Sequence, residues 1–227
     1  MVFMGNKTDK PKKERKLTEA EIKRKANFEA KEAALLEKGY KRKDLTISIA
    51  KANFVGVLLT IPFIAAILAG YYLYNGHFGV LTLLKDDSPT YFIYLAVIFV
   101  SFIPLAVIHE LIHGFVWSRG TENGLKDIQY GFIKEQLTPY CACLCPLSKK
   151  MYIIGSMMPM TILGILLGIV SIFTGQLLLL VISLLQVSGG AGDILITSML
   201  LRYKTKGKDV VLLDHPTDCG LVAFEKV

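Results

Sequence analysis

Apolar residues in this chain come in long unbroken blocks rather than in strict alternation with polar ones. Four blocks stand out, at residues 53–74, 91–117, 151–174 and 176–201. Each is close to or above the ~20 residues that an α-helix needs to cross the hydrocarbon core of a bilayer. The last two are separated only by Gly175 and its neighbours, so the turn joining them must be tight. A single buried helical hairpin is the competing reading of that pair. The pattern predicts an all-α membrane protein with four transmembrane helices, an N-terminal cytoplasmic helix and a small cytoplasmic β-hairpin.

The polar stretches divide the rest. Residues 1–16 read as a disordered basic tail, because Lys10-Pro11-Lys12-Lys13-Glu14-Arg15-Lys16 has little to bury. Residues 17–52 read as a cytoplasmic helical arm. Thr18 and Glu21 have capping-box spacing, and Gly39 is a plausible stop. Ile22, Ala26, Ala30, Ala33 and Leu36 give the arm a thin apolar side, suited to a solvated or membrane-surface helix. Residues 53–201 form the membrane domain. Its first loop, 75–90, has one lysine and two aspartates and suits the outer face; His77 there reads as an ordinary exposed histidine. The loop at 118–150 carries five Lys/Arg. Within it Ile128, Tyr130 and Phe132, followed by Thr138-Pro139-Tyr140, predict the hairpin. Residues 202–227 read as a polar cytoplasmic tail.

Charge sharpens this picture. The chain has 227 residues, 52% of them hydrophobic, and a formal net charge of +7. Residues 1–51 hold 15 Lys/Arg against 8 Asp/Glu, and the remainder is balanced at 11 of each. A basic arm beside a membrane helix is a positive-inside signal, which accounts for it more economically than nucleic-acid binding. Both termini are therefore expected in the cytoplasm, with the protein multi-pass in the plasma membrane. The opening Met1-Val2-Phe3-Met4-Gly5-Asn6-Lys7 lacks the apolar core of a secretory signal, so insertion is expected to rely on the first membrane helix.

The second block holds the chemistry. Near its far end runs His109-Glu110-Leu111-Ile112-His113-Gly114, an H-E-x-x-H motif. On a helix, residues i and i+4 lie one above the other, so His109 and His113 can aim two imidazoles at one point. Glu110 lies about 100° round the axis from His109, where it reaches a metal-bound water rather than joining the row. Three ionisable side chains in five residues each cost roughly 2.5–3.5 kcal/mol at mid-membrane unless paired, metal-bound or hydrated. A helix that only packs has no reason to carry them. Zn²⁺ held by His109 and His113, with Glu110 as the catalytic base, is the reading.

A catalytic zinc takes three protein ligands. Asp193, in Ser188-Gly189-Gly190-Ala191-Gly192-Asp193, is the best candidate for the third metal ligand. It is the only carboxylate in the fourth block, at a depth similar to that of the histidines. The neighbouring glycines would let this helix approach the second, or serve helix packing alone. Asp214, His215 and Asp218 are rivals from the tail, with turn chemistry around Pro216 as their plainer role. Cys141, Cys143 and Cys145 form a C-x-C-x-C run. It could bind a second metal or sense redox state, but it lacks the C-x-x-C spacing of zinc knuckles and reads better as free or buried thiols.

H-E-L-I-H in a membrane helix, followed about eighty residues later by an intramembrane Gly-Asp, resembles the site-2 protease type of intramembrane metalloprotease. In that group the ligands are the two motif histidines and an aspartate from a later helix. The chain is more similar still to the small membrane proteins described as putative zincin peptidases. That likeness rests on the H-E-L-I-H-G motif, Leu137-Thr138-Pro139-Tyr140-Cys141, Gly192-Asp193 and Asp214-His215-Pro216-Thr217-Asp218-Cys219-Gly220. Site-2 proteases usually carry Asn-Pro-Asp-Gly at the third ligand. Here the aspartate follows Gly-Gly-Ala-Gly, which leaves the asparagine and proline roles unassigned.

The expected function is zinc-dependent hydrolysis of a peptide bond in or next to the membrane, acting on a peptide or membrane-protein substrate. The alternative is a non-enzymatic metal-binding membrane protein kept as a regulator or scaffold. Four helices make a small transport pathway. A membrane di-iron site needs more histidines than the four present.

Overall fold

A computed structural model describes residues 19–79, 90–133 and 138–226. The expected basic tail at 1–16, the Thr18 cap and most of the first loop lie outside the described residues. Most of the described residues are helical, and among them two small antiparallel sheets are formed.

The helices are α1 (Glu19–Glu37), α2 (Ile49–Asn75), α3 (Thr90–Trp117), α4 (Lys149–Thr174), α5 (Leu177–Gly189) and α6 (Ala191–Arg202). At 1.5 Å per residue, α2, α3 and α4 are each about 40 Å long, enough to cross a bilayer. Among the described residues these three are long and apolar enough to span. Their outer faces expose large apolar side chains, Phe99 at 82% and Phe54 at 66%, which suit lipid rather than water.

The fourth apolar block is not one straight helix. It is broken at Gly190 into α5 and α6, bent by 48°. The tight turn before it is present: Gly175, at φ +66°, caps α4 through its N–H to Ser171 O, and Tyr71 of α2 donates to the Gly175 carbonyl at 2.6 Å. α4 itself passes through a π-helical stretch, Met160–Leu166, where the Ser183 hydroxyl of α5 reaches the Gly164 carbonyl at 2.8 Å.

The strands amend the all-helical expectation. β2 (Ile128–Ile133) and β3 (Thr138–Cys143) form the predicted hairpin. A second sheet was not foreseen. It has the order β1-β6-β5-β4, all antiparallel, from β1 (Lys41–Thr46), β4 (Leu147–Ser148), β5 (Asp209–Asp214) and β6 (Gly220–Lys226). Both the arm and the tail thus contribute strands to one body.

Burial on two faces explains this sheet. From β5 and β6, Val210, Leu212, Leu221 and Ala223 pack with Trp117 and Tyr152 at the ends of α3 and α4, Leu200 of α6 and Leu147 of β4. Alternate residues Leu213, Val222 and Phe224 point to Phe28 and Leu35 of α1. Each such large apolar side chain contributes roughly 1.5–3 kcal/mol when fully buried. Gly220, at φ +133°, lies so close to the β1 backbone at Leu45 and Thr46 that a Cβ there would collide with it.

α1 is therefore a docked helix rather than a solvated or membrane-surface one. Its expected apolar side, Ile22, Ala26, Ala30, Ala33 and Leu36, is exposed throughout. The buried face is Phe28 and Leu35, one heptad apart, with Arg24 and Asn27 beside them. The face that docks is the one carrying Phe28, which packs against Phe224 of β6.

Candidate metal centre

α3 presents His109 and His113 on one face, both buried at 8% and 4% exposure, with ring centroids 4.9 Å apart. Asp193 meets them from the first turn of α6, 84 residues later in the chain. Its Oδ2 lies 3.2 Å from His109 Nε2 and its Oδ1 lies 3.4 Å from His113 Nε2. The break at Gly190 creates a new helix N-terminus directly before this carboxylate, whose charge the unpaired N–H groups there favour.

The separations suit a shared cation. Charge-assisted hydrogen bonds run at about 2.7–2.9 Å. Ligands about 2.0–2.1 Å from a tetrahedral zinc stand about 3.3 Å from one another, and the two imidazole–carboxylate gaps fall beside that value. One gap runs to each Asp193 oxygen, and two imidazole nitrogens with a carboxylate are a donor set that Zn²⁺ takes.

His113 is also held from behind. Its Nδ1 donates to the Gly155 carbonyl of α4 at 2.9 Å, which leaves Nε2 with its lone pair toward Asp193. That carbonyl is free for a covalent reason: its helical partner at i+4 would be Pro159, which has no N–H. Trp117 stacks on the His113 ring at 4.9 Å and 15°, and its indole N–H reaches the Tyr152 carbonyl at 3.3 Å. Gly155 must be glycine, because a Cβ there would enter the Trp117 indole.

Glu110 lies on the other flank. One ligand atom from each of His109, Glu110 and His113 falls within 4.8 Å of the others. The Glu110 carboxylate also faces the backbone N–H of Cys141 in β3. The hairpin can come this close because α3 has Gly114 at the contact, where a Cβ would strike the Tyr130 hydroxyl and Ile128.

A cavity of about 350 Å³ opens over the cluster. His109, Glu110, His113, Asp193, Gly189 and Gly192 line it from α3, α5 and α6, and Arg24, Tyr140, Tyr152 and Asp214 from α1, β3, α4 and β5. The glycines beside Asp193 do not bring α6 onto α3. Gly189 and Gly192 have open space where a Cβ would stand, and the tight contacts are Gly190 against Met160 of α4 and Gly56 of α2 against Ala191.

The rival residues sort differently. His215 Nδ1 accepts the N–H groups of Thr217 and Asp218 at 3.3 and 2.8 Å, which is turn chemistry around Pro216. Asp214 lines the cavity instead, accepting the Tyr152 hydroxyl and the Cys143 N–H. Burial outweighs these bonds and pushes its carboxyl above the usual aspartate range. Cys141, Cys143 and Cys145 are free thiols; burial pushes Cys143 up to about 12 and Cys141 upward as well, away from thiolate chemistry. Sequence reasoning missed Arg24, Tyr152 and the Gly155 carbonyl. The last had a signal in glycine followed four residues on by proline.

The site is thus an H-E-x-x-H helix in an apolar helical frame, completed by an aspartate from a distant helix. Residues 102–207 match the model of a family described as putative zincin peptidase. No curated protein and no solved structure matches the chain. The matched stretch holds His109, Glu110, His113 and Asp193, and it excludes α1, α2, β5 and β6.

Proposed function

We propose that this protein is a membrane-embedded zinc peptidase, hydrolysing a peptide bond in or next to the bilayer. The observation that carries the reading is the approach of Asp193 to both motif imidazoles, with Glu110 alongside. His109, His113 and Asp193 hold Zn²⁺. When bound, the metal supplies a polarised carbonyl and an acidified water. Glu110 accepts the proton from the attacking water and delivers it to the leaving amine. His113 keeps its orientation through Gly155, and Trp117 shields that bond from water. An extended substrate strand lies along β3, taking over the Cys141 N–H from Glu110. Two histidines plus a later aspartate is also the arrangement that likens the site to site-2 proteases.

The sheet supports a reading of the chain with four crossings. β1 precedes α2, β4 precedes α4 and β5 follows α6, yet all lie in one sheet. These segments must share one side of the bilayer, so α2 with α3, and α4 with the bent α5–α6 pair, each cross and return. The basic arm supports the reading that this side, with both termini, is the cytoplasmic side of a plasma-membrane protein.

The test is metal analysis and substrate trapping on the full chain. Wild type and Glu110→Gln are expected to carry about one zinc each, while His109→Ala and Asp193→Ala lose it. Glu110→Gln is expected to lose cleavage by roughly 10²–10⁴-fold and to retain bound substrate in native membranes. Full cleavage by Glu110→Gln, or full zinc in Asp193→Ala, would overturn the assignment.

A further inference from the structure

Among the described residues Arg24 is the one Lys or Arg lining the cavity, and it comes from α1, outside the stretch that matches the peptidase family. Its placement is enforced. Asn27, one turn on, donates to the Leu144 carbonyl at 2.9 Å, and Phe28 is buried against β5 and β6. The guanidinium is held at the rim by Nη2 donating to the Pro216 carbonyl at 3.1 Å and by the Tyr140 ring at 5.5 Å.

Its hydrogen bonding is incomplete. Nε is buried with no acceptor. Asp214 is the nearby counter-charge, yet its oxygens are occupied by Tyr152 and Cys143, and among the described residues no carboxylate forms an ion pair with Arg24. A guanidinium presents a planar fork of donors that a carboxylate matches with two parallel bonds. A phosphate suits the cavity less well, because Glu110, Asp193 and Asp214 already line it and would repel a second negative charge. The volume is at the low end for ligand pockets, so a group on Arg24 stands within roughly one or two residues of a group at the histidines.

We infer that Arg24 is a specificity residue that binds a substrate carboxylate, either an acidic side chain or a free C-terminus, close to the scissile bond. This inference rests on the peptidase reading, since the matched site supplies the chemistry and α1 supplies the selection.

The test uses the full-length, zinc-loaded chain in detergent and three hydroxamate-capped leucine ligands, ending in glutamine amide, glutamate amide or glutamine free acid. The hydroxamate anchors at the metal, so calorimetry reads the effect of the carboxylate without turnover. Wild type is expected to bind one of the two acids roughly ten- to a hundredfold tighter than the neutral amide, as for a charge-assisted pair. The winning acid identifies the source of the carboxylate. In Arg24→Gln the acid-to-amide ratio is expected to fall near unity. In Arg24→Lys, which keeps the charge without the fork, it falls several-fold. Zinc content and melting point report whether each variant is folded, and Arg24→Lys decides the matter should Arg24→Gln fail that check. Equal binding of all three ligands by wild type, or a ratio that survives both substitutions, overturns the inference and leaves the peptidase reading standing. Failure of every hydroxamate to bind removes the metal reading, and the Arg24 inference with it.

Discussion

His113 and Gly155 are joined by a 2.9 Å hydrogen bond from an imidazole Nδ1 to a carbonyl that Pro159 leaves without a helical partner. A missing backbone hydrogen bond in one helix thereby orients an imidazole on another. Gly155→Ala would push a methyl into Trp117 and move this carbonyl. Zinc affinity is expected to fall about 10–100-fold, the usual effect of losing an outer-shell partner. Pro159→Ala offers the carbonyl a competing N–H and is expected to give a smaller loss. Competition against a chelating dye measures both.

Metal removal is expected to destabilise the fold, because it leaves two buried imidazoles and a carboxylate without their common partner. At free zinc a hundredfold above Kd, binding contributes about 2.7 kcal/mol. A chelator should therefore lower the melting point of wild type while hardly affecting His109→Ala. Equal shifts in the two proteins would mean that the metal is not held at this site.

Gly114 and Tyr130 set how closely the hairpin sits on α3. Gly114→Ala is expected to cost about 1–3 kcal/mol through overpacking, because its Cβ meets the Tyr130 hydroxyl and Ile128. Combining it with Tyr130→Leu should recover part of that loss. Thermal melts of the single and double variants test the contact.

Glu225 in β6 is held below the usual glutamate value of 4.5 by the Lys208 ammonium and then by the Tyr203 hydroxyl. A carboxyl lowered in the folded state contributes stability that is present above pH 4.5 and is lost as pH falls through its folded value. The melting point of wild type should accordingly drop more steeply below pH 4.5 than that of Glu225→Gln. The pair is near the surface, so the difference is modest and shrinks with added salt.

Much of this was legible in the residues alone. Long apolar blocks specify membrane-length helices because hydrocarbon leaves the backbone no other partner. The i, i+4 spacing of His109 and His113 fixes their shared face, and the expense of an isolated carboxylate in the fourth block singled out Asp193. The strand pairing was hidden. Leu221-Val222-Ala223-Phe224 is short, is buried on both sides and has no periodicity to distinguish it, and its partner β1 is Lys-Arg-Lys-Asp-Leu-Thr, which has no strand signature at all.

Only the tertiary structure decided where the lone carbonyl of Gly155 points, that α5 and α6 break so that Asp193 opens a helix, and that Arg24 lines the same cavity as the histidines. These are relations between segments far apart in the chain, and local composition does not encode them. Sequence determined which groups could not be left alone in an apolar setting, because that cost is intrinsic to each group. Folding determined which partners relieved it, because that depends on geometry summed over the whole molecule.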